Sequence, residues 1–310
     1  MEPAAGYRAL REGAGWLDLS DRGRIFAAGE DSARLLHAMS TNHIQGLAPG
    51  GGCYTFFLNA QGRIQADALI LRLEGRFLLD TEAETRESLY RHLTKYIIAD
   101  DVVLEDASET LTSLALEGPR AGAVLEGLGA PVPVQDYGHA SWEGKIVARA
   151  SSTGAPGFRV YLPAGEKAGL TDAFRRAGAE AASPEDADRV RLEYGRPRYG
   201  QDIFDTTLPQ ETRQMHAVHF QKGCYLGQEI VERIRSRGHV NKLLVSLEVE
   251  GGQTPAPGTK LHAAGNEAGE ITSAIISPTL GKVVALGYVR APYAAKGTEL
   301  ETETGAARVR

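Results

Sequence analysis

Over the first hundred residues, short apolar runs alternate with polar, glycine-bearing turns. Trp16-Leu17-Asp18-Leu19 reads as a strand entering a turn at Ser20-Asp21, and Arg24-Ile25-Phe26-Ala27-Ala28-Gly29 as the next strand. Asp31 stands where a helix N-cap belongs, with Leu35, Leu36 and Met39 on one face behind it. Strands over residues 54–58 and 64–73 are joined by Asn59-Ala60-Gln61-Gly62, a strong turn signal. Phe77-Leu78-Leu79-Asp80 is a further strand. Leu89, Leu93 and Ile97 recur every fourth residue, as on one helix face, before a short strand at Asp101-Val102-Val103-Leu104.

The pattern then starts again. Residues 25–36 and 114–125 share the order strand, glycine, apolar-faced helix. Phe77-Leu78-Leu79 before a helix is echoed by Phe158-Arg159-Val160-Tyr161-Leu162 before the helix around Leu170 and Phe174. Two pairs in the same order point to a duplication, at a spacing too long for a solenoid. A further helix is expected from Ser183 or Pro184 to Tyr194, with Ser183 as cap and Glu185 and Asp186 complementing its dipole. Beyond Arg237-Gly238 the texture changes to short β-forming runs, such as Leu243-Leu244-Val245-Ser246-Leu247, broken by Gly and Pro. The expected fold is therefore α+β. Residues 1–239 form a two-lobed body with antiparallel sheets, its lobes at about 20–110 and 111–239, and residues 240–310 form a small β-barrel. A ligand cleft is expected between the lobes.

Composition narrows the function classes. The 310 residues are 42% hydrophobic and 24% charged, with a formal net charge of −6, so an electrostatic grip on nucleic acid is not expected. The cluster Arg233-Ile234-Arg235-Ser236-Arg237 reads either as a solvated loop or as a phosphate or glutamate-tail site. No apolar run approaches the roughly 20 residues of a membrane span, and the N-terminus has no signal-peptide pattern, so a cytoplasmic, monomeric protein is expected. Of the two cysteines, Cys53 opens an apolar run and reads as a small buried hydrophobe, whereas Cys224 lies in a polar, glycine-rich stretch.

That stretch, Lys222-Gly223-Cys224-Tyr225-Leu226-Gly227-Gln228-Glu229, brings a cation, a thiol, a phenol, an amide and a carboxylate together. In an extended segment Lys222 and Cys224 share a face, where an ammonium favours the thiolate. A tight turn holding a half-buried cysteine explains the glycines equally well. With Glu232-Arg233 and Arg237-Gly238 after it, the octapeptide resembles the signature of the YgfZ family, folate-binding proteins related to the aminomethyltransferase of the glycine cleavage system. The resemblance extends through residues 18–25, Thr41-Asn42, 54–67, 191–195 and Tyr199-Gly200.

It implies a tetrahydrofolate-binding protein that supports assembly or repair of iron–sulfur clusters in client enzymes, tRNA-modifying ones included. Cys224 would be the acting thiol, Lys222 its tuner, and Gly223, Tyr225, Gly227, Gln228 and Glu229 the rest of the loop. Likeness to the aminomethyltransferases implies folate contacts at Tyr54, Asp67 and Glu193, the last holding the pterin, with Arg233 as a further candidate. It also implies the alternative of a folate-dependent aminomethyl- or methyltransferase. Two departures tell against that alternative: Ala66 stands for the first of an Asp-Asp pair, and Gly154-Ala155-Pro156-Gly157-Phe158-Arg159 lacks the acids of a Gly-Glu-Asp-Gly-Phe-Glu loop. His216 and His219 with Cys224 and His239 form an incomplete ligand set, and no permanent metal is expected.

Overall fold

The computed structural model describes residues 4–310. Two antiparallel-rich sheets lie face to face, each backed by helices, and a closed barrel follows. The first sheet orders its strands Gly52–Leu58, Ile64–Arg72, Arg76–Thr81, Gly23–Ala28 and Val103–Asp106. The second orders Glu180–Ala181, Gly15–Asp18, Leu111–Glu117, Gly157–Pro163, Lys145–Ala148 and His139–Trp142. Gly15–Asp18, the first strand of the chain, thus belongs to the sheet built otherwise from later segments.

Strand alternation assigns the faces. Ile25, Ile70 and Leu79 turn outward onto helices Ser32–Met39 and Arg86–Thr94, joining Leu36, Leu89 and Leu93 in one core. Their neighbours Phe26, Leu69 and Leu78 turn inward and meet Ala148 and Tyr161 of the second sheet. The outer face of that sheet packs Leu116, Phe158 and Val160 against Leu125, Leu170 and Phe174 of helices Ala121–Gly127 and Lys167–Arg176. The repeated strand-glycine-helix piece has the same backbone device in both lobes. Gly29 has φ +104° and Gly118 φ +116°, and a Cβ at either would lie 2.1 Å or 2.5 Å from a backbone carbonyl oxygen, so only glycine fits.

Asp31 does not cap its helix. Its carboxylate accepts the Asp101 N–H at 2.9 Å and pairs with Arg34, tying the helix start to the strand at Val103–Asp106. Ser183 does cap, in a reciprocal box with Asp186 at the head of helix Pro184–Glu193. That helix ends in a Schellman motif: Gly195, at φ +67°, donates to Leu192 O and Arg196 N donates to Arg191 O at 2.8 Å. The six barrel strands lie between Lys242 and Val309 and close completely, leaving no free edge. The barrel's outer face, through Leu244, Val284, Leu286 and Tyr288, covers Leu192 of the same helix. Among the described residues no helix is long and apolar enough to cross a membrane.

Candidate active site

A cavity of about 260 Å³ opens between the inner sheet faces and the segment that follows helix Pro184–Glu193. Tyr54 and Asp67 project into it from adjacent strands, since Tyr54 pairs with Leu69 and Asp67 lies two residues earlier on the same face. The Tyr54 hydroxyl donates to Asp67 Oδ2 at 2.6 Å, while buried Oδ1 has no protein partner. Burial, and next the charge of Glu82, lift the Asp67 carboxyl to about 6. Glu82 behaves oppositely. Burial alone would raise it, but Arg22 and Arg198 outweigh that and hold it below the usual range.

Behind these groups lies a second anchored carboxylate. Asp80, fully buried, accepts from Arg22 Nε at 2.6 Å, Arg159 Nη1 at 2.7 Å and Tyr161 Oη at 2.6 Å, which joins the two sheets. Burial works against its ionisation, yet Arg159 and Arg22 hold it well below the carboxylate range. Arg159 Nη2 also donates to Ser152 Oγ at 2.8 Å. The Ser151–Thr153 wall is held by buried Glu117, which accepts from Ser151 Oγ at 3.0 Å, Thr153 N at 3.1 Å, and Ser152 N and Thr153 Oγ1 at closer range. Arg191 is equally committed, to Asp188, Asp202, Gln201 and the Arg196 carbonyl. The Arg196 guanidinium, which also lines the cavity, has no hydrogen bond or ion pair among the described residues.

The octapeptide lies elsewhere and works as a clasp. Lys222 Nζ donates to the carbonyls of His37, Ser40 (2.6 Å) and Asn42 (2.8 Å) at the end of helix Ser32–Met39. Its ammonium is therefore spent on backbone rather than on Cys224. Tyr225 is buried with Phe56, Leu58, Ile64 and Val231. Gly227 sits at φ +84°, where a Cβ would lie 2.5 Å from Asn59 O, and Gln228 and Glu229 open helix Gln228–Arg237. Gly223 and Cys224 are exposed, and neither lines the cavity. Cys53 is buried, and desolvation pushes its thiol to about 12.

Two expected folate contacts also lie outside the cavity. Glu193 faces the N-terminal helix and the barrel: Tyr7 Oη donates to it at 2.5 Å, Ser277 Oγ donates more closely, and Arg11 Nε lies 3.2 Å away. Glu193 is thus not among the residues that line the cavity, although its Oε2 is buried without a hydrogen-bond partner. Arg233 lies on an exposed helix, not in a loop, and pairs with Glu229 one turn away at 2.8 Å. His216 stacks on Tyr54 with ring centroids 5.5 Å apart, whereas His219 faces His43 at 5.2 Å. Among the described residues no group of three or more His, Cys, Asp or Glu is arranged to hold a metal. The sequence reading missed Arg22, Glu82 and Arg196. A charge beside an apolar strand, as at Asp80, is the one signal that pointed toward this network.

The two departures from the aminomethyltransferase pattern differ in weight once placed. Ala66 points to the outer core with Ile70 and Leu89, so nothing is lost from the cavity there. Arg159 does enter the cavity, where it brings a guanidinium in place of an acid.

Residues 3–222 match the GCVT N-terminal domain, and residues 242–310 match the glycine cleavage T-protein C-terminal barrel domain. The chain is 32% identical to an aminomethyltransferase of Rubrobacter xylanophilus, over 92% of this chain and 78% of that one. It is also 32% identical to an aminomethyltransferase of Geobacillus kaustophilus, over 98% of this chain and 86% of that one. The crystal structure of glycine cleavage system aminomethyltransferase T from Bartonella henselae superposes with a TM-score of 0.90 at 26% identity, covering 98% of this chain and 87% of that one. These relatives overturn the expected iron–sulfur assembly role acting through Cys224. They are aminomethyltransferases along nearly the whole chain, and the narrower YgfZ assignment finds no support among them. The placement of Lys222 agrees, since it removes the cation invoked to activate that thiol. With both matched segments in order and the fold shared from end to end, the chain belongs to the glycine cleavage T-protein family.

Proposed function

We propose that this protein binds tetrahydrofolate in the cavity between the sheets and transfers a one-carbon unit to it from an aminomethyl donor. The observation that carries the reading is Asp67, a buried carboxylate with one oxygen bonded to Tyr54 and the other left without a protein partner. Reduced pterins present N–H donors that such an oxygen accepts, and Tyr54, backed by His216, offers a flat wall beside it. In the transfer, the aminomethyl carbon loses its bond to the leaving group and gains one to a ring nitrogen of tetrahydrofolate, then loses its amino nitrogen as ammonia and gains a bond to the neighbouring side-chain nitrogen, which closes methylene-tetrahydrofolate. The carbon keeps its oxidation level, and the protons of the two folate nitrogens depart with the leaving group and the ammonia. Ionised Asp67 stabilises the positive charge that builds on the carbon between the two bonds. Its position near pH 6 lets it also hold a proton transiently.

Calorimetric titration with tetrahydrofolate tests the reading, alongside formation of methylene-tetrahydrofolate from an aminomethylated donor. Wild-type protein is expected to bind, and Asp67→Asn to lose turnover by roughly 10²-fold or more. Absence of tetrahydrofolate binding by the wild-type chain refutes it.

A further inference from the structure

The charged groups of the cavity can be sorted by what already neutralises them. Asp80 is shared by Arg22 and Arg159, and Glu82 by Arg22 and Arg198. Asp188 holds Arg191, and Asp18 holds Lys167. Among the described charged residues that line the cavity, uncommitted atoms include the Oδ1 of Asp67, the Nε of Arg159, the exposed carboxylate of Asp21 and the guanidinium of Arg196. Of the lining arginines only Arg196 keeps its whole guanidinium unpaired, and its charge acts on buried Asp67. These two are of opposite sign, so a ligand that satisfies both carries a hydrogen-bond donor and an anion.

Arg196 is held in place by its backbone. Its N–H and C=O are both taken by Arg191 in the Schellman turn, and Pro197 follows, so the chain direction at this point is fixed. Its charge acts on Tyr54, Asp67, Tyr137 and His216, the aromatic and acidic side of the cavity. A planar guanidinium with its fork unpaired matches the geometry of a carboxylate.

We infer that Arg196 is a carboxylate-recognition residue of this cavity, which holds one end of the ligand while Asp67 holds the N–H-bearing end. The inference rests on the folate-dependent reading for the identity of one ligand, but the unpaired guanidinium stands without it. Two ligands could supply the carboxylate: the glutamate tail of the folate, or a donor that is itself an amino acid.

The test compares wild type, Arg196→Met and Arg196→Lys by calorimetry against three probes. These are tetrahydrofolate, 6-methyltetrahydropterin (which has no tail), and N-methylglycine added in the presence of 6-methyltetrahydropterin. Arg196→Met is expected to weaken a carboxylate-bearing probe about 10- to 100-fold, the loss of a charge-assisted pair. Arg196→Lys should recover part of that, and the tail-free pterin should stay within about twofold of wild type. Weakening for tetrahydrofolate alone assigns the tail, and weakening for N-methylglycine alone assigns the donor. Thermal midpoints should be unchanged, because the guanidinium has no protein partner to lose. The inference is overturned if Arg196→Met leaves both carboxylate probes unaffected, or weakens the tail-free pterin equally. Wild-type binding of N-methylglycine without either pterin would sink the folate reading and leave Arg196 standing, and binding of none would sink both.

Discussion

Replacing Lys222 by methionine separates a structural from a chemical role for the octapeptide. Methionine keeps the apolar stem and removes the ammonium, which donates to three backbone carbonyls and lies 4.8 Å from the centre of the Tyr225 ring. Three hydrogen bonds from a charged donor contribute about 4.5–9 kcal/mol. Desolvation, which pulls Lys222 down to about 7, takes back on the order of 4–5 kcal/mol of that. Three carbonyl acceptors nevertheless favour the ammonium form at neutral pH, and losing it leaves them without a donor. The two ranges differ by about 0–5 kcal/mol, and three carbonyls left without a donor put the expected loss in the upper part of that range, about 2–4 kcal/mol, read as a lower urea midpoint at unchanged slope. The second readout is the rate at which Cys224 is alkylated in the folded protein. Cys53 is buried with its thiol at about 12, so the assay follows one thiol. Alkylation of Lys222→Met should match wild type to within about twofold, because the Lys222 ammonium is bonded to the carbonyls of His37, Ser40 and Asn42 rather than to the thiol. A variant as stable as wild type, or a several-fold slower alkylation in folded protein, would refute the clasp.

Three more expectations concern the cavity and its supports. Asp80→Asn leaves Arg22 and Arg159 without their shared counterion and should cost about 3–5 kcal/mol in urea unfolding; a loss under 1 kcal/mol would show that the two sheets do not depend on it. Asp67 titrates near 6 in the folded protein, above its unfolded value, so the folded state binds more protons between about pH 4 and 6 and stability drains as pH rises through that window. Asp67→Asn removes this drain and should be more stable than wild type by on the order of 2–3 kcal/mol at pH 8, with a smaller gap at pH 4; a gap independent of pH contradicts the assigned burial. Gly227→Ala forces a Cβ into a left-handed backbone against Asn59 O and should cost about 2–4 kcal/mol by thermal or urea unfolding, whereas Gly252→Ala, with open space around it, should cost less.

Which parts of this could be read from the chain follows from how local each signal is. The strands around Phe56, Ile70 and Leu79, the Ser183 cap and the barrel texture are written in nearest-neighbour patterns, and each was legible. Helix Gln228–Arg237 was also written locally, in Ile230, Val231 and Ile234, but its basic residues drew the reading toward a loop. The hairpin joining His139–Trp142 to Lys145–Ala148 turns on Glu143-Gly144, both at positive φ, and was passed over for want of a glycine-led dipeptide. Helix Ala5–Glu12 is only eight residues long, and its buried face rests on Gly6, Tyr7, Ala9 and Leu10, of which Leu10 alone is a strong apolar signal, so it was passed over. The crossing of Gly15–Asp18 into the second sheet has no local signature at all, because its partners lie about a hundred residues away. Tyr54 and Asp67 came from the resemblance. Their electrostatic surroundings could not, since Arg22, Glu82, Arg159, Arg196 and Arg198 meet only when four separate segments fold together.

The same locality explains why the most conspicuous motif misdirected the functional reading. A run such as Lys222–Glu229 stands out because its residue types and glycine positions are tightly specified, and a clasp specifies them as strictly as a reactive site does. Lys222 must reach three carbonyls, Tyr225 must fill a core, and Gly227 must pass a carbonyl at a distance no Cβ tolerates. By holding the end of helix Ser32–Met39 and the Asn59–Gly62 turn together, the clasp fixes the strand pair that carries Tyr54 and Asp67. Its part is therefore positional, made through the two adjacent strands that place Tyr54 and Asp67 in the cavity. The carboxylate proposed to take part in the transfer is inconspicuous in sequence because one aspartate among apolar neighbours looks like a packing feature until the opposite sheet closes over it. What singles out Asp67 in the proposed site is the combination of burial with an unpaired oxygen, which no stretch of sequence specifies alone.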